Sequence, residues 1–225
     1  MSETNLQPEL IQQMLIEIDK YEESATSTTN HIGLLSRNYC PSQVTSIIFS
    51  LSKYLNLTHS IRCLAIEIFS RFFVKYMAVL RQEAITSTNI ENCVDDMRTR
   101  LHKQIILRIV SCITLAYRMA SPLVQHYPRV LNRCSSYLQG IGFRNPANII
   151  EKSEMRILNI LDYKIAFPTL VTSVQLFIEV LVHNMPSLTQ RMFYPLVYDV
   201  IDLWYLSRDK IRSRIMRQWD HCTQR

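Results

Sequence analysis

EKSEMRILNILDYKIAFPT, residues 151–169, starts as an amphipathic helix and ends in an apolar run halted by a proline. Ile150, Ile157, Leu158 and Leu161 recur at helical spacing and share one face. Glu154 precedes Ile157 by three residues and Leu158 by four, so at about 100° per residue it points into that stripe. A carboxylate on the packing side of a helix needs a partner, because a buried charge without one is costly. The strand-like run Ile165-Ala166-Phe167 then closes on Pro168-Thr169.

The bulk numbers favour helices. Of 225 residues, 48% are hydrophobic and 20% charged, which is a globular composition with material for a sizeable core. Gly33, Gly140 and Gly142 are the three glycines of the chain. Sheet turns and phosphate-cradling loops need more, so the composition points to an all-α fold and excludes a G-x-x-x-x-G-K loop. The six cysteines, Cys40, Cys63, Cys93, Cys112, Cys134 and Cys222, form no C-x-x-C pair and read as reduced thiols. The six histidines are scattered without metal-ligand spacing. His102 and Cys112 lie on one helix about 15 Å apart along its axis, too far for a nucleophile and its base. No cofactor, metal or catalytic set is expected. The first twenty residues lack the basic start of a signal sequence, and charge interrupts every apolar run before it reaches membrane-spanning length.

Periodicity predicts helices over 7–24, 42–55, 59–84, 97–119, 128–139, 147–162, 170–183 and 192–206, then a basic tail helix over 210–219. Residues 25–39 read as a linker and ITSTNIENCVDD, 85–96, as a polar break. The helix over 59–84 is apolar around most of its circumference, which marks a central element. On it, Phe69, Phe72, Phe73 and Tyr76 form a stripe expected to fill the core. Net charge is +6, and Arg208, Lys210, Arg212, Arg214, Arg217 and Arg225 crowd the last eighteen residues. That surplus permits contact with nucleic acid without requiring it.

Three stretches resemble the cyclin box. LAIEIFSRFF, 64–73, is similar to its second helix, where an Ala-containing apolar run leads to Arg-Phe. RIVSCITLAYRMASP, 108–122, resembles the third, and EMRILNILDYKIAFPT, 154–169, the fifth with its Pro-Thr exit. The resemblance implies a cyclin fold: a five-helix box over 39–169, preceded by an N-terminal helix and linker (1–38). Residues 170–225 would then be an incomplete second helical repeat. A narrower likeness covers IIFSLSKYLNL, LRIVSCITLA and LNILDYKIAFPT and extends through LFIEVLVHN and IDLWYLSRDKI. It is to cyclin-box proteins of meiotic crossover maturation, which are thought to act with a cyclin-dependent kinase.

By that resemblance the protein would be a non-catalytic regulator binding a cyclin-dependent kinase or meiotic recombination proteins, in the nucleus and on meiotic chromosomes, with the cytoplasm as a further location. Cyclins hold their kinase partly through a Lys on the third helix and a Glu on the fifth; the resemblance puts these positions on Arg118 and Glu154. Glu154 would sit at the rim of the apolar face and accept N–H donors of a partner. Pairing with an internal cation, or a role as an early-turn charge on the helix dipole, stays open. Arg118 replaces a point charge by a planar fork. The Met, Arg and Trp that build the cyclin cargo groove are absent from CPSQVTSI, 40–47, so no such groove is expected. An incomplete second repeat would expose an apolar patch at Phe193, Leu196, Val200, Leu203 and Trp204. Lys210, Arg212, Arg214 and Arg217 form the basic patch. The alternative reading is a cyclin-fold nucleic-acid-binding or scaffold module with no kinase partner.

Overall fold

Helix periodicity is realised over most of the described residues. The computed structural model describes residues 42–86, 90–120, 126–165, 169–184 and 190–223. The expected N-terminal helix and linker, and Pro168 of the exit, lie outside the described residues. The helices are α1 (Ser42–Tyr54), α2 (His59–Thr86), α3 (Ile90–Ala120), α4 (Tyr127–Gly140), α5 (Pro146–Ile160), α6 (Leu170–Asn184) and α7 (Gln190–Thr223). Among the described residues there is no strand, and no helix is long and apolar enough to cross a membrane.

α2 and α3 pack against each other at the centre, with α1, α4 and α5 around them. On α2 most residues from Ile61 to Met77 are buried, as a largely apolar circumference requires. Phe69 stacks on Phe73 at 5.6 Å and Phe72 on Tyr76 at 5.3 Å, so the aromatic stripe is core. Each such ring withdrawn from water stabilises the fold by roughly 2–3 kcal/mol. α3 is buried continuously from Leu107 to Ala116. Its small polar residues lie against their own helix: Ser111 Oγ donates to the Leu107 carbonyl at 2.8 Å, and Thr114 Oγ1 lies 3.0 Å from the Ser111 carbonyl. Arg108, also buried, donates to Ser153 Oγ at 2.7 Å and ties α3 to α5.

The ends follow local chemistry. Asn56, at φ 54°, closes α1 while the Leu57 N–H reaches back to the Ser52 carbonyl at 2.9 Å. After α4, Gly142 takes positive φ (99°), as the Phe143 N–H caps the Leu138 carbonyl. Pro146 opens α5, where its missing N–H costs nothing. Thr169 explains half of the Pro-Thr exit: its Oγ1 accepts the Thr172 N–H at 3.2 Å and caps α6.

Two expectations are corrected. α3 begins at Ile90, seven residues before the predicted start, so most of the supposed polar break is helical. α7 is one helix of 34 residues, not a helix and a separate basic tail. Ser207, Arg208 and Asp209 are polar without being helix breakers, and even Pro195 is accommodated inside it.

α6 packs on α2, and α7 packs on α1 and α6. Side chains secure α7 to the box. Arg62 on α2 pairs with Asp202, while His59 stacks on Tyr198 at 4.6 Å. The buried Tyr205 hydroxyl donates to Glu67 Oε1 at 2.8 Å.

Candidate partner-binding face

The last turn of α3 carries Arg118, where a cation meets the negative end of the helix dipole. α5 lies along α3 and brings Glu154 beneath it; Arg118 Nη1 stands 3.2 Å from Glu154 Oε2. α4 supplies the third member. Tyr127, its first residue, lies under the Arg118 guanidinium at 4.3 Å from the ring centroid, and its hydroxyl donates to Glu154 Oε1 at 3.4 Å.

The two charges are unequal. The Glu154 side chain is 2% exposed and that of Arg118 is 46% exposed. Burial pushes the Glu154 carboxyl above its ordinary range, while Thr114, Arg118 and Tyr127 hold it back by favouring the charged form. Burial and the adjacent Glu154 likewise raise the Tyr127 hydroxyl. The carboxylate therefore acts inward, fixing a guanidinium that stays half in solvent.

This corrects the sequence-based position of Glu154. It points into the stripe as the spacing requires, but it is covered by Arg118 and Tyr127 instead of standing at a rim open to a partner. The reason is that α3 and α4 both close over this turn of α5. What the face offers outward is a fork of N–H donors on an aromatic platform, which suits carbonyl or carboxylate acceptors. Tyr127 was not singled out from the sequence; an aromatic immediately before Pro128, at the start of a helix following α3, is the signal available for it.

The other predicted positions lie elsewhere. Leu196, Val200, Leu203 and Trp204 are exposed along one side of α7, and Phe193 is half-buried. α6 adds Leu176, Phe177 and Val180, which the sequence reading did not single out; exposures in this set run from 40% to 66%. Lys210 and Arg214 are exposed on α7. The side chains of Arg212 and Arg217 lie outside the described residues.

No protein-family model matches the chain, and no solved structure matches it. Two curated proteins do. Cyclin N-terminal domain-containing protein 1 of Mus musculus is 28% identical over 180 residues, covering 78% of this chain and 53% of that protein. Its Homo sapiens counterpart is 27% identical over 215 residues, covering 93% of this chain and 63% of that protein. The chain thus spans less than two thirds of the length of either relative. In sequence it is similar to cyclin N-terminal domain-containing protein 1 over most of its own length, and its helices form a cyclin-like all-α fold.

Proposed function

We propose that this protein is a non-catalytic, cyclin-like regulatory subunit that docks a cyclin-dependent kinase, or a component of the recombination machinery, on the α3–α5 face. Its setting is meiotic crossover maturation, in the nucleus and on meiotic chromosomes. One observation carries the docking role: Arg118 is held half-exposed over buried Glu154, at the positions where the cyclin-box resemblance puts the kinase-holding pair. The likeness to cyclin N-terminal domain-containing protein 1 supports the cyclin-like character. The meiotic setting rests on the narrower sequence resemblance. A kinase bound this way is regulated by differential contact, the subunit engaging one kinase arrangement better than another.

Co-purification with a panel of purified cyclin-dependent kinases tests the proposal. Wild type is retained; Arg118→Ala weakens retention about tenfold or more, the loss of one charge-assisted contact. Retention indifferent to Arg118→Ala and Arg118→Glu removes the role of this face. Failure with every kinase favours the scaffold reading. The second reading, a nucleic-acid contact, rests on exposed Lys210 and Arg214. Salt-dependent binding to plain duplex supports it, and absence of binding at low salt ends it.

A further inference from the structure

A pocket of about 350 Å³ opens between the last turn of α1 and the start of α2, lined by Phe49, Ser50, Ser52, Lys53, Asn56, Leu57 and Arg62. Its charged lining residues, Lys53 and Arg62, are both cations, and no carboxylate lines it. Ser52 is fully buried and its hydroxyl has no hydrogen-bond partner; the Arg62 Nε is also buried and unpartnered, as is Oδ1 of Asp202, the carboxylate paired with Arg62 outside the pocket lining. Buried polar atoms without partners are uncommon enough that two on one pocket call for an explanation.

The Arg62 guanidinium is fixed in place. Its Nη2 holds Asp202 and its Cζ lies 4.3 Å from the centroid of the Phe49 ring. Its Nε is thereby positioned in advance, with no rotamer left to settle on binding. The negative end of the α1 dipole is locally satisfied: the Ser52 and Lys53 carbonyls accept the Leu57 and Asn56 N–H groups at 2.9 and 3.1 Å. Those carbonyls are therefore already occupied as acceptors. Phe49 and Leu57 supply an apolar wall beside the donors. The volume would hold roughly ten waters, more than a bare ion fills.

We infer that this pocket binds an oxyanion carried on a short hydrocarbon stem, the group presented by a phosphorylated or acidic peptide side chain. Lys53 supplies charge, Ser52 Oγ and Arg62 Nε supply directed donors, and the Phe49–Leu57 wall takes the stem. The site is distinct from the α3–α5 face and stands whether or not that face binds a kinase.

The test is NMR on the full ¹⁵N-labelled chain, following the Arg62 Nε–Hε signal. The probes are inorganic phosphate, N-acetyl-O-phosphothreonine amide, N-acetylglutamate amide and the unphosphorylated threonine derivative. The two anionic derivatives shift the signal saturably, phosphate binds more weakly, and the threonine derivative leaves it unchanged. The tighter of the two derivatives identifies the physiological anion as phosphorylated or acidic. Ser52→Ala and Lys53→Ala each weaken binding about tenfold, the loss of one bond to a charged group. Without ligand, Ser52→Ala melts no lower than wild type, since an unpartnered hydroxyl is removed. These variants spare Arg62, whose loss would also unseat α7. The inference is overturned by no saturable shift with any anion, by equal binding of phosphate and the derivatives, or by shifts insensitive to both substitutions, which denote an adventitious ion only.

Discussion

Arg118→Ala leaves the Glu154 carboxylate buried without its cation. Removing one partner of a buried ion pair costs about 3–5 kcal/mol. Here the guanidinium is 46% exposed, so solvent screening brings the expected loss down to about 2 kcal/mol at neutral pH, part of it the cation–π contact with Tyr127. The sign with pH comes from linkage. The Glu154 carboxyl titrates higher in the folded protein than in the unfolded chain, so the folded state holds the proton more tightly. Its contribution to stability is present below the ordinary carboxyl value of about 4.3 and is lost as pH rises through the raised folded value. Without Arg118 the folded value rises further and the loss extends over a wider range. Urea denaturation of wild type and Arg118→Ala therefore gives a small difference at about pH 4, where only the cation–π contact with Tyr127 is missing, and a growing one toward about pH 7. Arg118→Ala/Glu154→Gln, with a neutral amide in the cavity, recovers more than half of the deficit at neutral pH. A deficit independent of pH, or a double variant no better than Arg118→Ala, refutes a stranded carboxylate as its cause.

Tyr205→Phe removes the bond to buried Glu67 and costs about 1.5–3 kcal/mol; hydrogen exchange shows the added opening concentrated in α7. Burial pushes the thiols of Cys63 and Cys134 up to about 12, so a thiol reagent at neutral pH labels them only as fast as the protein unfolds. Phe177→Asp and Leu203→Asp change stability by no more than about 0.5 kcal/mol, because both side chains face solvent. If that surface serves association, both variants lower the light-scattering mass or the retained partner, whereas a collapse of the melting temperature shows that these residues are packed.

Where apolar spacing is regular the sequence was enough: α1, α2, α4, α5 and α6 end within two residues of the positions that periodicity sets. The errors fall where polarity stood in for a boundary. Glu91, in the first turn, suits the positive end of a helix, yet without an apolar stripe around it the start of α3 read as a break. Ser207 to Asp209 divided α7 for the same reason. In the candidate site, the inward direction of Glu154 was legible because it depends on spacing within one helix. Its cover was not, since Arg118 and Tyr127 arrive from other helices and neither spacing nor composition reports which side chain overlies another. The pairing of Arg62 with Asp202, 140 residues apart, was beyond reach on the same ground.

The attachment of α7 has a consequence for how the molecule comes apart. Arg62 and Glu67 belong to the helix around which the box is assembled, yet each finds its counterpart on α7. A chain cut before Gln190 strands both groups at once and uncovers the aliphatic side of α1. Calorimetry on residues 1–225 accordingly records one endotherm, with box and C-terminal rod melting together, and a version shortened ahead of the rod needs another protein to take its place before the remaining helices hold.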